Sequence, residues 1–134
     1  MSSTVVTNGI KVLIIDDDKS ILNILSKILG KSGFIVDTAE SGQEAMNKLT
    51  IKNYSIALID VKLQDTNGLD LLNQIREIAP KMVKIILTGY PSDEDRIKAF
   101  ERGADYYLAK PVSPEKLVQI IRDKTKKDDN ESLC

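Results

Sequence analysis

Two hydrophobic rhythms alternate along the chain: short runs rich in Val, Ile and Leu, and longer stretches with apolar residues every three or four positions. Lys11–Ile15 (KVLII) reads as a first strand, and its unbroken apolar run after Lys11 suits a strand covered on both faces. A helix follows Asp18, with Ile21, Ile24, Leu25, Ile28 and Leu29 on one stripe, and Gly30 and Gly33 are expected to end it. Phe34–Asp37 is a short second strand, and Ser41 with Glu44 forms a capping-box pattern ahead of Ala45, Met46 and Leu49. Ser55–Ile59 is the third strand and runs into Asp60. After a loop to Gly68, a third helix presents Leu72, Ile75 and Ile78 until Pro80 stops it. Met82–Leu87 is the fourth strand; Ser92 and Asp95 repeat the capping pattern before Ile97 and Phe100, and Gly103 closes that helix. Tyr106–Leu108 is the fifth strand, and Pro114 fits the first turn of a last helix with Leu117, Ile120 and Ile121 inward. Strand–helix alternation throughout predicts an α/β fold with a doubly wound five-stranded parallel sheet, for which the order 2-1-3-4-5 is the simplest choice at this size. Ligands of such sheets sit at the carboxyl ends of strands one and three.

Composition narrows the chemistry. At 134 residues the chain is one domain in size, and 19 basic against 20 acidic side chains give a formal charge of -1. That balance argues against a nucleic-acid binder, which normally concentrates basic residues on one face. Histidine is absent, which removes imidazole catalysis and imidazole metal sites. The single cysteine, Cys134, excludes an internal disulfide and points to a reducing, cytoplasmic setting. No apolar run approaches the ~18 residues of a membrane span, and Met1–Gly9 is too polar for a secretory signal. Residues 1–9 are expected to be a flexible tail, 10–124 the folded domain, and 125–134 a charged, frayed tail with no core-facing pattern.

Asp16 and Asp17 directly follow the first strand and Asp60 ends the third, so adjacent parallel strands bring three carboxylates to one edge. Two such charges ~4 Å apart repel by about 4 kcal/mol at an effective dielectric of 20. Protonation, water or a cation can relieve the repulsion, and oxygen ligands without His or Cys favour a hard ion such as Mg²⁺. Thr88 after the fourth strand adds a hydroxyl and Lys110 after the fifth adds a cation. Acids, hydroxyl and ammonium together suit a phosphoryl group.

The segments IIDDD (Ile14–Asp18), IALIDVKL (Ile56–Leu63), Gly68, ILTG (Ile86–Gly89) and GADYYLAKP (Gly103–Pro111) make the chain resemble the receiver domain of two-component response regulators, over nearly all of Ile10–Lys124. The resemblance implies a flavodoxin-like (βα)5 domain in which Asp60 is the phosphoacceptor. Asp16 and Asp17 would form the metal pocket for Mg²⁺, with Asp17 the direct ligand and the Lys62 backbone carbonyl a further one. Thr88 would hydrogen-bond the phosphoryl group and Lys110 would pair with it. Tyr107 occupies the family's aromatic switch position, although it fits an ordinary half-buried strand aromatic as well; the Lys110–Pro111 bond is often cis there. By the same resemblance the partners are a sensor histidine kinase or phosphotransfer protein and a downstream protein that reads the surface of the fourth helix, fifth strand and fifth helix. The domain would catalyse only its own phosphorylation and dephosphorylation, as a monomer or weak dimer.

Two departures from the family pattern stand out: Gln64 where proline is common, and Gly89 where alanine is usual. Lys62 and Tyr90, each two positions beyond a site residue, would flank the path of hydrolytic water and tune it. Asp18 alone is accounted for as a helix cap. Gly30-Lys31-Ser32 is no phosphate loop, since Leu25 stands at the required upstream glycine and the triplet follows a helix. The acidic run lacks the glycine of a calcium loop, and Asn53-Tyr54-Ser55 is a chance glycosylation triplet. A stand-alone receiver is expected, because the chain ends soon after the last helix. A phosphate sink remains open. A haloacid dehalogenase-type phosphatase would need an acid at Lys62, and a degenerate scaffold would not keep the full set of acid, hydroxyl and lysine.

Overall fold

The strand pattern is realised as parallel pairing in the order β2-β1-β3-β4-β5. The computed structural model describes residues 9–133, with side chains from 9 to 125; residues 1–8 of the expected tail 1–9, and Cys134, lie outside the described residues. The strands are β1 (Lys11–Ile15), β2 (Ile35–Ala39), β3 (Ile56–Asp60), β4 (Val83–Thr88) and β5 (Tyr106–Ala109). Between and after them run α1 (Lys19–Lys31), α2 (Gly42–Ile51), α3 (Gly68–Ile78), α4 (Asp93–Glu101) and α5 (Pro114–Leu133). Alternate side chains of the central strands enter two cores. Val12, Ile14, Ile56, Leu58 and Ile85 pack toward α1 and α5. Leu13, Ile15, Ala57, Ile59 and Ile86 pack toward α2, α3 and α4. Both faces are covered, which is why β1 and β3 read as unbroken apolar runs.

Helix ends follow local chemistry. The Asp18 carboxylate accepts from the Ser20 and Ile21 N–H groups and caps α1, as expected. Gly33 (φ 99°) and Gly103 (φ 101°) close α1 and α4 in the left-handed region, each inside a pair of crossed bonds: Gly33 and Phe34 N–H to the Gly30 and Leu29 carbonyls, Gly103 and Ala104 N–H to those of Phe100 and Ala99. Ser41 and Ser92 cap α2 and α4, but neither capping box closes on itself. The Glu44 carboxylate takes the Glu40 N–H, and the Tyr107 hydroxyl oxygen takes the Ser92 N–H, because Asp95 is a methylene shorter than the Glu or Gln that reaches back.

Several expectations are corrected. Gly30 is helical rather than terminal. The inward stripe of α1 is Leu22, Leu25 and Leu29, with Ile24 57% exposed, because two apolar stripes lie side by side and the sheet covers only one. Ile97 and Phe100 face outward, while Ala99 is the buried residue of α4, which lets this short helix sit close to the sheet. Ile78 at the end of α3 is also exposed, beyond the edge of the core. The second strand starts one residue later than Phe34–Asp37 and ends two residues later. The segment read as a frayed tail is helical to Leu133, since Lys, Asp, Asn and Glu tolerate helix without a core face.

Candidate functional site

Parallel register puts the carboxyl ends of β1, β3, β4 and β5 along one rim. Asp16 emerges one residue past β1, its N–H held by the Ala39 carbonyl of β2, and the residue is 3% exposed. Asp60 is the last residue of β3 and is 8% exposed. Asp17 is partly exposed beside them, and carboxylate oxygens of Asp16, Asp17 and Asp60 all lie within 4.8 Å of one another. Sequence order alone placed these three acids together, and the fold does the same.

Lys110 is brought in from the far edge. Its N–H donates to the Thr88 carbonyl at 2.7 Å, extending the β4–β5 ladder by one residue. The ammonium then donates to Asp16 Oδ2 at 2.9 Å and to Asp60 Oδ1 at 3.1 Å. Asp16 Oδ1 accepts from the Asp18 N–H, so both oxygens of Asp16 are engaged. Asp60 Oδ2 has no protein donor among the described residues. Burial pushes the Asp60 carboxyl up from its ordinary range; the Lys110 hydrogen bond and charge oppose this, and the Asp16 and Asp17 charges add to it. Burial works to lower the Lys110 ammonium, but its bonds and charge interactions with Asp16 and Asp60 outweigh that and raise it.

Thr88 ends β4 almost fully buried, and its Oγ1 accepts from the Tyr90 N–H at 3.0 Å. Tyr107 on β5 is half-buried; its phenol oxygen faces Ser92 at the start of α4. The Lys62 ammonium lies 4.0 Å from the centroid of the 72%-exposed Tyr90 ring, so the two residues that follow the site meet across its mouth. The Lys110–Pro111 peptide is cis.

The β3–α3 connection holds features that sequence reasoning missed. A Cβ on Gly68 would stand 2.2 Å from the Asp60 carbonyl oxygen, so α3 starts against the main chain of the candidate nucleophile. Asn67 caps α3 through the Leu69 N–H. Asp65 accepts from the N–H groups of Gly42 and Gln43, at the start of α2. Asn before a helix was a readable cap signal; the reach of Asp65 across more than twenty residues was not.

The family model described as "Response regulator receiver domain" matches residues 12–122. Transcriptional regulatory protein ResD of Bacillus subtilis (strain 168) is 36% identical over 116 residues, 87% of this chain and 48% of the relative. A CpxR homolog of Haemophilus influenzae is 38% identical over 112 residues, 84% of this chain and 48% of the relative. The chain thus spans about half the length of the curated relatives it matches. Among solved structures, a CheY-like receiver domain protein from Methanospirillum hungatei JF-1 superposes with a TM-score of 0.88 at 36% identity, covering 91% of this chain and 98% of that one. A Burkholderia pseudomallei response regulator, solved with a phosphorylated aspartic acid, calcium ion and citrate, gives a TM-score of 0.81 at 27% identity over 92% of this chain and 72% of that one. The matched span, the five-stranded order and these relatives agree: the chain belongs to the response regulator receiver domain family, whose members are phosphorylated on an aspartate in two-component systems.

Proposed function

We propose that this domain is a phosphorylation switch in which Asp60 takes a phosphoryl group from a phosphohistidine on a partner kinase or phosphotransfer protein, or from a small acyl phosphate. The observation that carries the reading is the Lys110 ammonium shared by Asp16 and Asp60 in a rim of carboxylates. Lys110 holds Asp60 Oδ1, which leaves Oδ2 to attack phosphorus. As the new O–P bond forms, the bond from phosphorus to the donor breaks: with an acyl phosphate the P–O bond, whose electron pair leaves on the carboxylate, and with phosphohistidine the P–N bond. Its electron pair goes to the imidazole nitrogen, which takes up a proton, and an acyl phosphate remains on Asp60. Lys110 stays beside it as a counter-charge. The Thr88 hydroxyl, already accepting from Tyr90, has its own proton to give a phosphoryl oxygen. Positioning and charge do most of the catalysis.

Receiver domains bind Mg²⁺ through an acidic pocket, and the donor set here fits a hard ion: carboxylate oxygens, with no imidazole or thiolate. Asp17 and Asp60, with the Lys62 backbone carbonyl, would hold it, and Asp16 with both oxygens engaged would support rather than ligate directly. When bound, the ion supplies the positive charge that lets a carboxylate approach an anionic phosphoryl group. Among the described residues no helix is long and apolar enough to cross a membrane.

For output, Tyr107 is the proposed switch. Movement of Thr88 toward the phosphoryl group frees the Tyr90 N–H, and inward rotation of Tyr107 removes the acceptor from Ser92 at the start of α4. The surface of α4, β5 and α5, with Ile97 and Phe100 exposed, is then read by a downstream protein. The domain acts on no substrate but itself and works as a monomer or weak dimer. The Lys62–Tyr90 pair limits access of hydrolytic water. Tyr90→Ala is expected to shorten the aspartyl-phosphate lifetime several-fold, and an unchanged decay rate removes this pair from the account.

Intact-mass analysis after incubation with Mg²⁺ and acetyl phosphate tests the central reading. One phosphoryl group should appear on the parent chain and none on Asp60→Asn. Equal modification of the substituted chain would overturn the assignment.

A further inference from the structure

The loop between β3 and α3 is built as a small hairpin. Lys62 and Asn67 pair in an antiparallel bridge, and the Leu63 N–H donates to the Thr66 carbonyl at 3.2 Å, so Gln64 and Asp65 form the tip. At its base the Gly68 N–H reaches the Val61 carbonyl at 2.6 Å. The tip does not rest on its own strand or helix. Asp65 Oδ1 and Oδ2 each lie 2.9 Å from a backbone nitrogen of α2, those of Gly42 and Gln43, donors that the helix itself leaves unpaired. Those bonds hold the Asp65 carboxyl below its ordinary range, so the tether is anionic at neutral pH. The contact is also tight. A Cβ on Gly42 would fall 2.5 Å from Thr66 Cγ2, so glycine at the start of α2 is what lets the tip come this close.

We infer that Asp65 is a positioning residue for the cation pocket: by clamping the hairpin tip onto the first turn of α2, it fixes the main chain of Lys62, whose carbonyl faces the metal in the reading above. The inference rests on that reading of the pocket. It also gives the loop a restraint that its sequence otherwise lacks, since Gln64 leaves the tip free where a proline ring would stiffen it. The clamp acts between elements distant in sequence, so α2 and the pocket move together.

The test is Mg²⁺ titration followed by backbone amide shifts of Asp17, Val61 and Lys62, with thermal unfolding as a check of folding. Asp65→Ala should raise the Mg²⁺ dissociation constant about tenfold, the low end of what losing an outer partner of a metal ligand costs. At saturating Mg²⁺ the acetyl phosphate reaction of Asp65→Ala should return to within about twofold of the parent, because the reacting groups are untouched. Gly42→Ala approaches the same clamp from the other side: alanine favours the helix, yet its methyl displaces Thr66 and should weaken Mg²⁺ binding as well. Adding Thr66→Ser to Gly42→Ala removes the clashing methyl and should restore affinity. A parent that binds Mg²⁺, with both single variants within twofold of it, overturns the role of Asp65 alone. A parent whose pocket amides ignore Mg²⁺ overturns the pocket reading and this inference together.

Discussion

Lys84 is the second residue of β4 and only 3% exposed, on the face that packs against α3 and α4. Its ammonium donates to the Met82 carbonyl at 2.8 Å and lies near Arg76 and Asp105. Burial pulls its pKa below the ordinary lysine value; the Asp105 charge opposes this and the Arg76 charge reinforces it. The unfolded chain therefore holds the Lys84 proton through a window, between the lowered value and 10.5, in which the folded chain has released it. Stability rises with pH across that window. Lys84→Met keeps the length of the side chain and removes the buried charge. It should stabilise the domain by about 1 kcal/mol at neutral pH, with the gain shrinking as pH climbs toward 10.5, as read by urea midpoints over a pH series. A variant less stable than the parent at neutral pH would mean that the Met82 bond outweighs desolvation. Sequence did not disclose this residue, because one lysine in an apolar run leaves open whether its stem turns outward. The convergence of Asp16, Asp17, Asp60, Thr88 and Lys110 was legible for the opposite reason: each ends or closely follows a strand, and strand ends of a parallel sheet converge whatever the packing between them. Asp65 was hidden because its partners are main-chain groups of another helix, which no side-chain pattern records.

Element packing gives the same substitution opposite signs at two glycines. Gly30 lies inside α1 with an ordinary backbone and open space where a Cβ would go. Gly30→Ala should therefore stabilise the domain by about 0.5–1 kcal/mol, the helix-propensity difference. Gly68 opens α3 against the main chain of Asp60 and Val61, where an added Cβ meets backbone atoms that cannot swing aside. Gly68→Ala should destabilise by about 3 kcal/mol, at the upper end of overpacking costs, and slow phosphorylation by displacing Asp60. Denaturant unfolding separates the two; equal effects at both positions would show that contact with Asp60 is not what selects glycine at 68. Periodicity predicted every strand and helix, since runs of β-branched residues and stripes at helical spacing differ in period. It could not orient α1 or α4. Ile21, Leu22, Ile24, Leu25, Ile28 and Leu29 fill two adjoining stripes of α1, and only the sheet's position decides that Leu22 is covered and Ile24 is not. In α4 the larger residues Ile97 and Phe100 outrank Ala99 on hydrophobicity, yet a close approach to the sheet admits only the small side chain.

At the scale of the whole molecule, right-handed crossovers put helices on both faces of the sheet, and the order 2-1-3-4-5, the simplest doubly wound choice for a chain of this size, is the one observed. The same order concentrates negative charge at one rim, and in the proposed pocket a bound cation would offset the folding cost of that concentration. Without the cation, burial and the neighbouring acids oppose ionisation of Asp60 more than Lys110 favours it. The folded pKa is raised, so the folded chain binds a proton in a window above the unfolded value of 3.8, and this contribution to stability falls as pH rises through that window. At neutral pH and without divalent ions, Asp60→Asn should therefore unfold later than the parent, by about 1 kcal/mol. In the pocket proposed above, Mg²⁺ would bind the folded state alone, and at a hundredfold its dissociation constant it would stabilise that state by about 2.7 kcal/mol. The Asn variant would lack the Asp60 carboxylate of that pocket and should gain far less. Adding Mg²⁺ should accordingly reverse the stability order of the two chains in urea titrations run side by side. Parallel gains for both chains would show that the carboxylate of Asp60 takes no part in holding the ion, and the crowding of acids at the rim would then need another cause.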